Sequence, residues 1–280
     1  MKIVITGATG NLGKLVVRQL IDRKLGGQLI VSVRKPEAAE HWKKEGVEVR
    51  YGDYDVPASL VSSFEGAGKL LLISSPHRDD VVRLRQHQAA LEAAREAGVR
   101  HIAYTSMAYA DKGKLPLHRL HLDTEEAIRR SGIPYTMLRN SLYMDLLRFL
   151  GLREAMAGGL LLSPPGEWSF NIAAREDLAA AAAAVLREEG HENRSYELTA
   201  PRTWNLADLA RVLSELSGRK VVRQTDAALN SPLYSSLTLS DLKSVSPDLE
   251  RLAGYPLSSL QDEVRKLLDA PSIEPRSPRA

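Results

Sequence analysis

The feature that most narrows the fold comes first. The apolar run Ile3-Val4-Ile5-Thr6 leads directly into Gly7-Ala8-Thr9-Gly10-Asn11-Leu12-Gly13. Short β-branched runs read as strands, and the amphipathic stretch Leu12–Arg23 reads as a helix. Glycines spaced G-x-x-G-x-x-G between a strand and a helix are the phosphate turn of a dinucleotide-binding βαβ unit. Gly7 takes the tight turn, Gly10 opens the backbone to the pyrophosphate, and Gly13 lets the helix pack on the strand. Thr9, Asn11 and Leu12 complete the loop, with the positive end of the helix facing the phosphates. A glycine-rich turn that binds nothing is the competing reading.

The same rhythm continues through the first half. Strand candidates Ile3–Thr6, Leu29–Val33, Val47–Tyr51, Leu70–Ser74, Ile102–Ser106 and Tyr135–Leu138 alternate with helix candidates. These helices are Leu12–Arg23, Pro36–Glu45, Pro57–Phe64, Asp80–Ala97 and Asp123–Arg130. Strands apolar on consecutive residues belong to a parallel sheet covered on both faces. After Arg139 the pattern loosens. Leu142–Met156 reads as one helix, Leu160–Leu162 as extended, and Arg175–Glu188 as an alanine-rich helix. Tyr196–Thr199 and Val221–Arg223 read as strands, Leu206–Ser217 and Leu257–Leu268 as helices, and Asn230–Ser246 has no clear pattern. The expected fold class is α/β, a Rossmann-type doubly wound parallel sheet over 1–139. A smaller C-terminal α/β lobe over 140–270 is interleaved with it, and a tail with three prolines over 271–280 is expected to be disordered.

Composition closes off several functions. The 38 Lys and Arg are interspersed with 35 Asp and Glu, for a net charge of +3, so no nucleic-acid contact is expected. With no cysteine there is no disulfide, thiolate nucleophile or Cys-ligated metal. The seven histidines form no H-x-x-x-H pair, and no metal is expected. No apolar run reaches the roughly 18 residues that span a bilayer. The chain runs straight into its first strand, which makes the expected location cytoplasmic, without membrane attachment.

Roughly twenty residues past Gly13, an NAD-selective site carries a carboxylate for the ribose 2′-hydroxyl. Here the second strand ends in Val33-Arg34-Lys35. Two cations and no carboxylate suit a 2′-phosphate, with Arg34 placed for charge-assisted bonds, so NADP(H) is the expected cofactor. A pair of solvated surface cations is the bland alternative. Asp53, just past the third strand, is a candidate acceptor for the adenine amine.

These segments together resemble the NmrA-like family of atypical short-chain dehydrogenase/reductases, and within it the type 2 NAD(P)H:quinone oxidoreductases. The resemblance rests on Ile5 to Gly13, Val33-Arg34-Lys35-Pro36, Gly52-Asp53-Tyr54 and Lys69 to Ser75. It continues through Gly98 to Ser106, Leu138 to Tyr143 and Tyr196-Glu197-Leu198, covers roughly 1–224 and again the last helix, and thins between Asp226 and Gly254. It implies an acceptor pocket between the strand ends and the C-terminal lobe.

Ordinary short-chain dehydrogenases pair a tyrosine acid/base with a lysine four residues on, one turn along the same helix face. None of the nine tyrosines here has lysine at that spacing, and the corresponding positions hold His121 and Glu125. Two readings follow. One is a reductase passing hydride from NADPH to a quinone-like small molecule, whose delocalised product anion needs no enzyme-borne acid. The other is a non-catalytic NADP(H)-binding redox sensor. Candidates for the nicotinamide and acceptor pocket are Ser74, Ser75, His77, Thr105 and Ser106, with Asn140 and Tyr143 positioning the acceptor. The serines and threonine also suit turn or cap roles, Tyr143 a core position, and His77 and His121 solvated ones. Tyr143 is read as lying one turn into a helix, able to stack on a planar ring. Arg175-Glu176-Asp177 reads as simple helix initiation. A homodimer or a regulatory protein partner is compatible with either function.

Overall fold

The computed structural model describes residues 1–229 and 231–270; the tail expected to be disordered lies outside the described residues. In chain order the first half forms β1 (Lys2–Thr6), α1 (Gly13–Asp22), β2 (Leu29–Val33), β3 (Glu48–Tyr51), α2 (Pro57–Phe64) and β4 (Ala67–Leu72). It continues with α3 (Asp80–Glu96), β5 (His101–Met107), α4 (Pro116–Arg130) and β6 (Tyr135–Asn140). The second half holds α5 (Leu152–Gly158), β7 (Leu160–Ser163), β8 (Ser169–Phe170), α6 (Arg175–Arg187) and β9 (Arg194–Leu198). It ends with β10 (Trp204–Asn205), α7 (Leu206–Ser217), β11 (Val222–Thr225), α8 (Pro232–Leu237), α9 (Asp248–Ala253) and α10 (Leu260–Asp269).

Seven parallel strands form one sheet in the order β3-β2-β1-β4-β5-β6-β9. This is the doubly wound Rossmann arrangement, with the strand order reversing between β1 and β4. Alternate residues of the apolar strands serve opposite faces. Ile5, Val31 and Leu71 pack with Val17, Leu20, Leu178 and Val185, from α1 and α6. Val4, Ile30, Leu70 and Leu72 pack with Leu60, Phe64, Leu91 and Ile128, from α2, α3 and α4. Fully burying each such side chain contributes about 1.5–3 kcal/mol. The alanines of α6 are buried almost without a break from Ala179 to Ala184. Side chains that small let the helix sit closely between α1 and α9. A separate cluster around Leu147, Leu161, Phe170, Leu209, Leu213 and Val264 is the core of the lobe.

Three sequence expectations are corrected here. Leu142–Met156 is not one helix. Met144–Leu150 winds as 3₁₀ turns, Gly151 takes φ +66°, and α5 follows. The cause lies at its start, where backbone groups bond across the chain. The Met144 N–H donates to the Ala173 carbonyl at 2.9 Å, and the Ala173 N–H to that of Leu142 at 3.3 Å. Tyr143 therefore sits in an extended bridge to Ala173 and not one turn into a helix. β4 starts earlier than expected and stops at Leu72, because the next two N–H groups leave the ladder for side chains. Ile73 donates to Thr6 Oγ1 at 3.0 Å and Ser74 to Thr105 Oγ1 at 2.9 Å. The helix expected at Asp123–Arg130 begins at Pro116, since His118 and His121, polar in the sequence, face inward.

Candidate functional site

The glycine loop lies where the strand order reverses, at the carboxyl ends of β1 and β4, the crevice in which such sheets bind ligands. Gly7 has φ +59°, a left-handed conformation that side chains resist. A Cβ on Gly13 would stand 2.2 Å from the Gly7 carbonyl oxygen, so only glycine fits where α1 meets the turn. The Gly10 N–H donates to that same carbonyl at 2.9 Å and closes the loop. Gly7, Thr9, Gly10 and Asn11 stay exposed, while buried Leu12 anchors the loop to the core. A cradle that side chains would fill, at a helix N-terminus, fits a pyrophosphate.

The floor of the crevice is a polar clamp that the sequence did not single out. Thr6 Oγ1 donates to the Leu71 carbonyl at 3.0 Å and accepts from Ile73 N–H. The Tyr54 hydroxyl stands 2.8 Å from Thr6 Oγ1 and 2.9 Å from the Ile73 carbonyl, with one proton to share between them. Burial pushes this phenol well above its ordinary pKa, so it stays protonated. The clamp ties the two diverging strands together beneath the loop. Its one sequence signal was a threonine closing an apolar strand.

Arg34 and Lys35 follow β2 directly and are exposed, and neither side chain has a hydrogen-bond or ion-pair partner among the described residues. Asp53 is half-buried and shapes its own turn: its Oδ1 accepts from Asp55 N–H at 3.0 Å. Beyond β4, half-buried Ser74 accepts from Arg83 at 2.9 Å, and buried Ser75 donates to Gln86 Oε1. Thr105 holds the Ser74 backbone, and exposed His77 accepts from Asp79 N–H at 3.0 Å. The loop is thus pre-shaped by its own side chains.

His121 is not solvated, as the sequence suggested. It is 6% exposed, with Nδ1 2.8 Å from the Tyr104 hydroxyl of β5. Burial first, then the charge of Arg83, lowers its pKa to about 3, so it is neutral. His87 beside it is also lowered to about 3 by burial. It accepts from Ser75 N–H at 2.9 Å through Nε2, which leaves Nδ1 to donate to Thr124.

Glu125 is fully buried and saturated. Arg139 grips it with two bonds of 2.8 Å, Arg129 approaches at 2.7 Å, and Ser106 Oγ donates at 2.7 Å. Burial alone would push this carboxyl up, but the bonds from Arg139 and Ser106 hold it below the ordinary range. Arg139 also reaches Glu197 at 2.8 Å, whose other oxygen accepts from Tyr109 N–H. The Leu-Arg-Asn and Tyr-Glu-Leu segments are therefore two ends of one ionic bridge across β6 and β9. A lone arginine inside an apolar strand was its sequence signal. Asn140 is 6% exposed, and the Arg175 guanidinium lies 4.2 Å over the Tyr143 ring.

A cleft of about 490 Å³ opens in the lobe between α6, α7 and α10, lined by Asp177, Trp204 and Gln261 among others. None of the cofactor candidates lines it, and it approaches the ends of the sheet through Met144, beyond β6, and Ala200 and Pro201, just past β9. Strand-end geometry places a dinucleotide better than this cleft does. Asp177, read as helix initiation, accepts from the Tyr255 hydroxyl at 3.0 Å, and burial raises its pKa to about 6. No described helix is long and apolar enough to cross a membrane, and no metal-holding cluster occurs among the described residues.

The sheet order and the glycine cradle define a dinucleotide-binding Rossmann-type protein. The NmrA-like family profile matches residues 1–236, and the chain belongs to that family. It is 37% identical to quinone oxidoreductase 2 of Escherichia coli strain K12, over 95% of this chain and 99% of that one. A Citrobacter sp. triphenylmethane reductase complexed with NADP(H) superposes with TM-score 0.87 at 41% identity, covering 95% of this chain and all 100% of that one. The NADPH complex of the Escherichia coli quinone oxidoreductase QOR2 superposes with TM-score 0.84 at 35% identity, over 95% and 100% of the two chains.

Proposed function

We propose that this protein reduces a quinone-like small molecule with NADPH, and that its catalysis rests on position, without a side-chain acid. The protein is an oxidoreductase, and NADP(H) is its cofactor. The observation that carries the finer reading is the state of α4. The two residues at the spacing of a Tyr–Lys pair are spent elsewhere: His121 on Tyr104, and Glu125 on Arg139, Arg129 and Ser106. Glu125 is an ionised acceptor and His121 is buried and neutral, so α4 presents no charged acid to a substrate. The quinone and dye reductases among the relatives support the same class of acceptor.

When bound, the reduced nicotinamide supplies the hydride. The chain's own groups do the rest. The Gly7–Gly13 loop takes the pyrophosphate, Arg34 and Lys35 pair with the 2′-phosphate, and Asp53 offers its free oxygen to the adenine amine. Ser74, Ser75 and Thr105 shape the nicotinamide end, while Asn140 and Tyr143 position the acceptor. Holding two reactants in contact is worth about 7–11 kcal/mol of barrier. A quinone's product anion is delocalised and takes its proton from water. NADPH oxidation with and without a small benzoquinone tests the reading. Quinone-dependent oxidation, faster with NADPH than NADH, is expected; cofactor binding without turnover would instead mark a redox sensor.

A further inference from the structure

A guanidinium on the first residue of a helix stands against the helix dipole. Arg175 opens α6, so its placement answers to what it touches. Its guanidinium lies 4.2 Å over the Tyr143 ring and pairs with Asp145, and its side chain is only 19% exposed. Both partners follow the carboxyl end of β6, whose last residue, Asn140, is one of the groups that lower the Tyr143 phenol. The Tyr143–Ala173 bridge fixes the two segments relative to each other. A fixed cation and an aromatic ring are thus presented together at the strand ends, beside the groove where the nicotinamide end is expected. The Tyr143 phenol is raised by burial, and Arg175 pulls it back more strongly than Asp145 opposes.

We propose that Arg175 is the charge-selecting residue of the acceptor site, favouring neutral acceptors that become anions over cationic acceptors that become neutral. This rests on the reductase reading above. Hydride addition to a quinone puts a full negative charge on the acceptor, gathered on its oxygens, and water protonates it afterwards. A cation nearby lowers that barrier. Hydride addition to the central carbon of a triarylmethyl cation cancels a positive charge, and the same cation disfavours that substrate. Tyr143 supplies an aromatic surface to both, so the ratio of the two activities isolates the charge.

The test compares wild type, Arg175→Ala, Arg175→Lys and Asp145→Asn with a neutral benzoquinone and a cationic triarylmethane dye. Calorimetric binding of anthraquinone-2-sulfonate and of the dye to the NADP⁺-loaded protein gives a readout independent of turnover. Arg175→Ala should lower kcat/KM for the quinone roughly tenfold or more, a partly exposed fraction of what a buried oxyanion donor supplies. It should leave dye reduction unchanged or faster, weaken the sulfonate and not weaken the dye. Arg175→Lys should keep most of the wild-type ratio, and Asp145→Asn should move the ratio further towards the quinone. Parallel loss of both activities with an unchanged ratio, or equal effects on both ligands, would overturn the proposal. If wild type reduces neither acceptor, the reductase reading fails, and the two binding titrations still decide the role of Arg175.

Discussion

The glycine loop and the α4 cluster lie at the same end of one sheet, yet their polar groups are handled in opposite ways. At the loop, backbone groups and the cations of Arg34 and Lys35 are left exposed and unpaired among the described residues. On the inner face of α4, the one buried charge is answered: Glu125 is held by two arginines and a serine, and Arg139 spans Glu125 and Glu197. An unanswered cation costs little in water, and it is available to a phosphate. A saturated carboxylate in the interior holds elements together and has nothing left to give a substrate. On the proposed reading, open polarity marks the binding end, and closed polarity marks a scaffold at the spacing where an acid/base pair would stand.

The sharpest way to break this contrast is to disturb each side alone. Gly10→Val puts a branched side chain into the phosphate path, against a Gly7 carbonyl that even a lone Cβ would approach to 3.1 Å. It should abolish dinucleotide binding in calorimetric titration while the circular dichroism of the fold persists. Retained binding would show that the loop is not the site. Glu125→Ala should do the reverse. Removing Glu125 strips Arg139 of two of its three hydrogen bonds and leaves it only Glu197; breaking such a buried pair costs up to about 3–5 kcal/mol of stability. A urea midpoint close to wild type would show that the cluster is no scaffold.

Smaller effects sharpen the same picture. Arg34→Ala removes a charge-assisted contact worth about 1.5–3 kcal/mol. NADPH affinity should fall about 10- to 150-fold, with NADH nearly untouched; equal losses for both cofactors would remove Arg34 from the 2′-phosphate. The buried histidines give a pH signature. His87 and His121 are lowered to about 3 and His101 to about 4, all by burial first. The unfolded chain therefore takes up their protons first as pH falls. Their contribution is fully present above pH about 6.5 and is lost as pH falls towards 3. Unfolding free energies measured across that range should decline with acidity, less steeply in His121→Asn.

Much of the open side was legible in the sequence, because glycine spacing and a pair of cations after a strand carry local meaning. Leu29–Val33, Pro57–Phe64 and Leu206–Ser217 have the bounds expected from periodicity alone. The closed side was not legible. His118 and His121 look like solvent-facing polarity until the rings of β5 and the turn before α4 are brought against them. The bridge from Arg139 to Glu125 and Glu197 joins residues far apart in the chain, and only the pairing of β6 with β9 brings its ends together. Gly151 and the two-residue strands β8 and β10 leave too short a pattern to read. Around Tyr143, backbone bonding to Ala173 overrode a plausible helical period.

The central claim is that position, and not an acid on α4, drives turnover. His121→Asn keeps a polar group near Tyr104 while removing the only imidazole at the Tyr–Lys spacing. Steady-state quinone reduction at saturating NADPH should change by less than about tenfold, below the roughly 10²–10⁴-fold that a general acid supplies. A loss of a hundredfold or more, in a variant that still folds and binds NADPH as wild type does, would contradict the account.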